Sequence, residues 1–461
     1  MASQPTEVLP DLWQLAGLPG GALDFAHLTG ADPVLPSSFA VGCAAQATIA
    51  AAALAACEVG HLRGTPRQQV SVDMLHAALE CTGWFSIDGR TADIWDAFSG
   101  LYPCADGWVR IHANFSHHRD GALRVLGLEP GRAVRADAEQ ALLSWRALDV
   151  ETEIADAGFA ATALRTFDEW DATPQGQAVA AQPLMTFERI GDAPPLALPQ
   201  LQADQRPLHG IKVLDLTRIL AGPVGGKALA AYGADVMLVN SPNLPNIAAI
   251  ADTSRGKRSV HVDLREAAGR DTMNALLSQA HVFIQGYRPG GLQSLGFGPC
   301  EVAAKRPGAV YVSLTAYGTR GPWSARRGFD SLVQTAMGFN HAEAQAMGDA
   351  KPRPLPMQIL DEATGYLIAM GAAAALHRQQ REGGSWHVQV SLAQTGHWVR
   401  GLGRVQGGAG MVKPEFEPFV ESSDSGFGQL RALRHSAQLA RTPARWERRS
   451  MPPGSDPPRW N

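Results

Sequence analysis

Residues 211–240 read IKVLDLTRILAGPVGGKALAAYGADVMLVN. An apolar β-branched run (IKVLDLT), a small-residue turn (AGPVGG), an alanine-rich helix (KALAAYG) and a second apolar run (ADVMLVN) form a strand–helix–strand unit. Downstream the alternation continues with strand SVHVDL (259–264), helix EAAGRDTMNALLSQA (266–280), strand HVFIQ (281–285) and strand AVYVSLT (309–315). Short apolar strands that alternate with helices predict a parallel sheet covered on both faces. The fold class is therefore α/β, a doubly wound Rossmann-like sheet with a second, smaller α+β domain. Ligands of such sheets bind beyond the carboxyl ends of the strands.

A chain of 461 residues exceeds what one ordinary core holds. The proline-rich stretch DAPPLALPQLQADQRPL has neither helical nor strand periodicity and marks a linker at 192–208. It separates a first half, 1–191, that holds the smaller domain from a large Rossmann-like domain, 209–400, which an extended C-terminal segment, 401–461, follows. The halves also share a pattern. QATIAAAALAACEVGHLRGTPRQQVSVDML and GYLIAMGAAAALHRQQREGGSWHVQVSL each run from an alanine-rich helix through a basic glycine turn to a V-x-V strand, pairing Val70 and Val72 with Val388 and Val390. Asp361 of the second copy corresponds to Cys43 of the first.

With a formal charge of -4 and 18% charged residues, no field favours nucleic acid or an anionic membrane as partner. Five dispersed cysteines without CxxC or Cys/His spacing give neither a disulfide framework nor a zinc site, so no metal is expected and a reducing cytoplasm fits. The opening MASQPTEVLPDLWQLAG lacks the basic start and apolar core of an export signal. The long run VGCAAQATIAAAALAACEVG is built on alanine and interrupted by Gln46, as in a buried helix.

Asp361 stands between an apolar run and a long small-residue helix, in MQILDEATGYLIAMGAAAALHRQQREGG. An aspartate there caps the helix. The same position suits an activated carboxylate, because the positive helix end stabilises the anion, and an ionised carboxylate attacks thioesters. Basic residues follow the strands: Arg218, then Arg255, Lys257, Arg258 and Arg265, then Arg288, then Arg326 and Arg327. They suit either a polyphosphate ligand or a solvated positive face. AGPVGG is neither GxGxxG nor a Walker loop. There is no GxSxG and no HExxH, and His117 and His118 in NFSHHRD read as a surface loop rather than a metal site.

In order from 211 to about 376, the motifs VLDLTRILAGPVGGKALAAYGADVMLV, RGKRSVHVDL, GYRPGGLQSLGFG, PGAVYVSLTAYGTRGPW, GFDSLVQTAMG and LDEATGYLIAMGAAAAL resemble the family III CoA-transferases, the CaiB/BaiF family. The first half resembles that family's later portion in RGTPRQQVSVDMLHAALE, YPCADGWVRIHA and EWDATPQGQAV, so the chain reads as a rearranged or fused form.

The resemblance implies a cytoplasmic enzyme that moves CoA from an acyl-CoA to a free carboxylic acid through a covalent aspartyl intermediate. Coenzyme A is substrate, and no cofactor is tightly bound. Asp361 falls on the family's nucleophile. Leu220, Ala221, Val262, Asp263, Leu264, Arg265, Gly286, Tyr287, Arg288 and Arg327 fall on positions that contact CoA, and Asp330 falls beside the active site. The implied assembly is a homodimer, interlocked in the family, or a pseudo-dimer completed within one chain. Racemases of the same fold carry a histidine where Phe329 stands, which favours transferase over racemase. A non-catalytic CoA-binding protein is the third reading.

Overall fold

A computed structural model describes residues 2–460; Met1 and Asn461, the ends of the outer two segments, lie outside it. The strand–helix alternation builds a sheet of seven strands: β1 (Met185–Gly191), β2 (Lys212–Leu216), β3 (Asp235–Asn240), β4 (Lys257–His261), β5 (Val282–Gln285), β6 (Val310–Thr315) and β7 (Ser385–Ser391). Their spatial order is β4-β3-β2-β5-β6-β7-β1. Neighbours from β4 to β7 are parallel, and only β1, contributed by the first half, runs antiparallel against β7. This is the doubly wound order, in which the chain leaves β2 first to one side and then to the other.

Alternate residues of these strands feed two cores. Val213, Val236, Ile284 and Val312 join one cluster, while Leu214, Met237, Phe283 and Tyr311 join the other. Burial on both faces explains why the strands read as continuous apolar runs rather than alternating ones. The main helices are α1 (Val41–Leu62), α2 (Ala221–Ala231), α3 (Asp330–Met337) and α4 (Ile359–Glu382).

Helix α2 begins at Ala221, so AGPVGG is helical and not the turn expected from its glycines. Pro223 is tolerated because amides of the first turn have no intrahelical acceptor. The glycines serve packing. A Cβ on Gly225 would lie 2.8 Å from the Gly365 carbonyl of α4, and one on Gly226 would lie 2.2 Å from an Asp215 carboxylate oxygen. Helices α1 and α4 are long and apolar enough to cross a membrane, yet both are buried inside the protein. Their alanine faces let the two backbones approach closely, and a helix apolar on all sides belongs in a core.

The smaller α+β unit of the first half is a three-stranded antiparallel sheet (Gly100–Cys104, Gly107–Ile111, Ala161–Ala163) with its own core of Tyr102, Val109, Leu123, Val150 and Ile154. Residues after 401 are not wholly extended. The hairpin Val420–Ser425 and Gly428–Leu433 adds to Phe85–Ile87, and Gln438–Leu439 pairs with Val70–Asp73.

The internal repeat has a structural counterpart. Val70–Asp73 runs directly into a helix capped by Asp73, whose Oδ1 accepts the His76 amide at 3.0 Å; β7 runs into one capped by Ser391, whose Oγ accepts the Gln394 amide at 3.1 Å. At the starts of the paired helices, Asp32 accepts the amides of Cys43 (2.8 Å) and Gly42 (3.2 Å), as Asp330 accepts that of Asp361 (2.8 Å).

Candidate active site

The chain leaves β2 toward β3 and returns as β5 on the other side, so a crevice opens above their carboxyl ends. A fully buried ion pair pins its floor. Lys257 on β4 donates to Asp215 of β2 at 2.8 Å and to the Pro223 carbonyl at 2.7 Å. Asp215 in turn accepts from the Thr217 hydroxyl. The chain then turns sharply: Ile219 has φ +78°, a left-handed conformation strained for a β-branched residue. That turn sets Arg218, Ile219, Leu220 and Ala221 against the crevice.

Asp361 also lies on the wall, 8% exposed, at the third position of α4. It is therefore not the N-cap that its place in the sequence suggests. The cap function belongs to Asp330, 1% exposed at the start of α3, whose Oδ2 accepts the Asp361 amide at 2.8 Å while its Oδ1 accepts the Gln334 side chain at 2.5 Å. Burial pushes the Asp330 carboxyl up to about 7, against the donors of Asp361, Gln334 and Leu360 and the charge of Arg110. Burial also raises Asp361 well above the ordinary carboxylate range, and the Asp330 charge adds to that rise. The helix terminus expected to hold Asp361 ionised is outweighed, because two buried carboxylates share one site.

The cavity has a volume of about 370 Å³. Leu220, Ala221, Gly286, Tyr287, Arg288, Arg327 and Asp361 lie on its wall together with Leu314 and Thr315 at the end of β6 and Leu392 after β7. Among the described residues, Asp361 is the one carboxylate there. Of the wall's four arginines, Arg326 is tied to Glu151, whereas Arg218, Arg288 and Arg327 have no carboxylate partner among the described residues.

The remaining cations of the basic pattern are used internally: Arg255 by Asp252 and Glu421, Lys257 by Asp215, Arg258 by Asp235, and Arg265 by Asp263. Val262, Asp263, Leu264 and Arg265 are not on the cavity wall. Val262 faces the second core, with Leu264 packed against it, and Asp263 is occupied by Arg265 and Asn243. Asp330 lies behind the wall rather than on it.

The first half supplies Phe115, His117 and His118 to the same wall. His118 is 2% exposed, contrary to the surface loop read from NFSHHRD. Its ring contacts Phe115 and Phe329, and His112 stacks face to face on Phe329 at 3.7 Å. The pair lies in the first turn of a helix, Ser116–Val125, not in a loop; the sequence signal available was the histidine pair itself, but nothing local to it shows that the chain places this helix start on the cavity of the other half. A larger cavity of about 770 Å³ lies under the C-terminal tail, lined by Arg434, His435, Arg448 and Arg449 among others. Among the described residues it shares none with the Asp361 cavity and has only Glu421 and Glu447 as wall carboxylates, each paired with arginine.

A buried carboxylate at a helix start and arginines without a carboxylate partner among the described residues line one cavity at the switch point of a doubly wound sheet, an arrangement that suits an anionic ligand. The model of CoA-transferase family III matches residues 20–204 and 208–406, and the chain belongs to that family. An acyl-CoA transferase of Gibberella moniliformis is 30% identical over 82% of this chain and 74% of its own length. A probable fatty acyl-CoA transferase of Mycobacterium tuberculosis, Rv3272, is 35% identical over 41% of this chain and 50% of its own length. The crystal structure of Rv3272 in an orthorhombic form is 33% identical, with a TM-score of 0.39, and the match covers 43% of this chain and 59% of that one. The chain thus spans about three quarters of the fungal relative and about half of the mycobacterial one.

Proposed function

We propose that the chain transfers CoA from an acyl-CoA to a free carboxylic acid with Asp361 as nucleophile. The observation that carries this reading is a single carboxylate, among the described residues, on a cavity wall that also holds three arginines without a carboxylate partner there. Arg218, Arg288 and Arg327 supply charge and donors for the phosphates of CoA. Leu220, Ala221, Gly286 and Tyr287 shape the wall that receives it. In the first step the ionised Asp361 attacks the thioester carbonyl and CoA leaves as thiolate, giving a mixed anhydride. The thiolate then attacks the aspartyl carbonyl, releasing the donor acid and leaving an aspartyl-CoA thioester. The acceptor carboxylate attacks that thioester, and the thiolate, returning to the acceptor's carbonyl, frees Asp361. Each step exchanges one acyl bond for another, so neither net proton transfer nor a redox group enters.

A racemase needs a base beside the thioester. Phe329 cannot supply it, and burial holds its histidine neighbours His112 and His118 at about 3, too weakly basic for that role. This favours transfer over racemisation.

Walls drawn from both halves support a pseudo-dimer within one chain: each chain carries a complete site, and a homodimer would carry two. The free cysteines suit a cytoplasmic setting. The test is to incubate the protein with a panel of acyl-CoAs, add hydroxylamine or borohydride, and map the product by peptide mass spectrometry. Modification at Asp361 that is lost in Asp361→Asn supports the mechanism. No modification across the panel, with CoA still bound, moves the reading to a non-catalytic CoA-binding protein.

A further inference from the structure

His118 is a buried side chain with both ring nitrogens unpartnered, on the wall of the cavity that holds Asp361. Packing alone does not account for it. Phe115 and Phe329 flank the ring, with centroids 5.8 Å away in each case, so a phenylalanine would fill the same space without leaving two polar atoms unsatisfied. The ring's other neighbours are His117, at 4.2 Å between centroids, and the cations Arg218, Arg288 and Arg327. Burial first, and then these positive groups, keep the imidazole neutral. A neutral imidazole carries one N–H and cannot readily take a second proton.

We propose that His118 is a catalytic hydrogen-bond donor, whose ring N–H receives the acyl oxygen of the substrate as it becomes an oxyanion. This rests on the transferase reading. When a carboxylate attacks the thioester carbon, the carbonyl π pair moves onto oxygen; when the thiolate leaves, that pair returns to reform the carbonyl. The N–H of His118 stabilises the charge in between without giving up its proton. A donor that stays neutral and is already desolvated needs no reorganisation as the charge develops. Because His118 belongs to the first half and Asp361 to the second, the site is incomplete without both.

The experiment compares the full chain with His118→Phe, which removes the donor, and His118→Gln, which keeps an N–H. The rate of trapped Asp361 modification with acetyl-CoA should fall about 100- to 1,000-fold in His118→Phe, with KM little changed. His118→Gln should retain most of the rate. A wild-type rate in His118→Phe would overturn the proposal, as would an acid limb between pH 6 and 7 that disappears in both variants, because that reports acid–base work by the imidazole.

A readout independent of turnover uses the Asp361→Asn protein. Its His118 ring nitrogens, followed by 15N NMR, should shift with acetyl-CoA and not with S-ethyl-CoA, which lacks the carbonyl; equal response to both sinks the assignment. If the wild type forms no adduct with any donor while the ring still distinguishes these two ligands, the donor role stands and the transferase reading falls. The NMR comparison also decides the matter should His118→Phe fail to fold.

Discussion

The amide of Asp361 donates to Oδ2 of Asp330 at 2.8 Å, so the carboxylate that caps the helix and the carboxylate that faces the cavity belong to different residues. Capping and the proposed nucleophilic role, which compete for a single aspartate in the sequence, fall to different residues on α3 and α4. Asp330 fixes the start of α4, and Asp361 lies on the cavity wall.

Replacing Asp361 by asparagine preserves shape and removes the proposed nucleophile. Turnover should fall by at least about four orders of magnitude, with the affinity for free CoA changed only modestly. Steady-state kinetics and calorimetry on the same preparation check both halves of the expectation.

The pair also fixes a pH dependence. In the proposed mechanism Asp361 must be ionised to attack, and its carboxyl is raised by burial and by the Asp330 charge, so kcat/KM should climb with pH along an acid limb well above the usual carboxylate range. Asp330→Asn removes the like charge and keeps an oxygen for the amide, so the limb should move to lower pH. A limb that stays in place would show that Asp330 carries no charge during turnover.

Arg218, Arg288 and Arg327 should each matter for CoA affinity, because each faces the cavity without a carboxylate partner. Alanine at any of them should weaken CoA about 10- to 100-fold, as expected for loss of one charge-assisted hydrogen bond. Arg265→Ala, which breaks only the exposed pair with Asp263, should change affinity less than about threefold. Titration calorimetry across the series tests the exclusion of 262–265 from the cavity.

Lys257→Met should destabilise the protein by about 3–5 kcal/mol, because it leaves Asp215 charged and unpaired in the core. Chemical denaturation measures this. The double change Lys257→Met with Asp215→Leu should recover part of the loss.

Cys43 occupies the place of Asp361 in the first copy, but it is 1% exposed and burial pushes its thiol up to about 12. It should resist thiol reagents in the folded protein, and calorimetry should give one CoA per chain. Two equivalent CoA sites would contradict the pseudo-dimer with one functional half.

Much of this was legible in residues 211–315, where apolar runs alternate with helices and a parallel sheet covered by helices buries both faces of each strand. The ordered motifs carried the family, and the repeat carried the pairing of Asp361 with Cys43. Less legible was anything that depends on which side chains meet across the chain. AGPVGG looks like a turn because glycine is locally flexible, yet it is helical because Gly225 and Gly226 let α2 press against α4 and Asp215. The basic residues formed one cluster by spacing, yet only some reach the cavity, because Asp215, Asp235, Asp252 and Asp263 neutralise the others.

The sequence by itself determined the α/β class, the strand order's building blocks and the candidate nucleophile, because hydrophobic period and local motifs are properties of neighbours in the chain. Only the tertiary structure decided that Asp330 rather than Asp361 caps α4, that burial raises both carboxyls, and that His118 of one half lines the same cavity as Asp361 of the other. Burial and charge at a point are sums over residues that are remote in sequence, and folding alone brings those residues together.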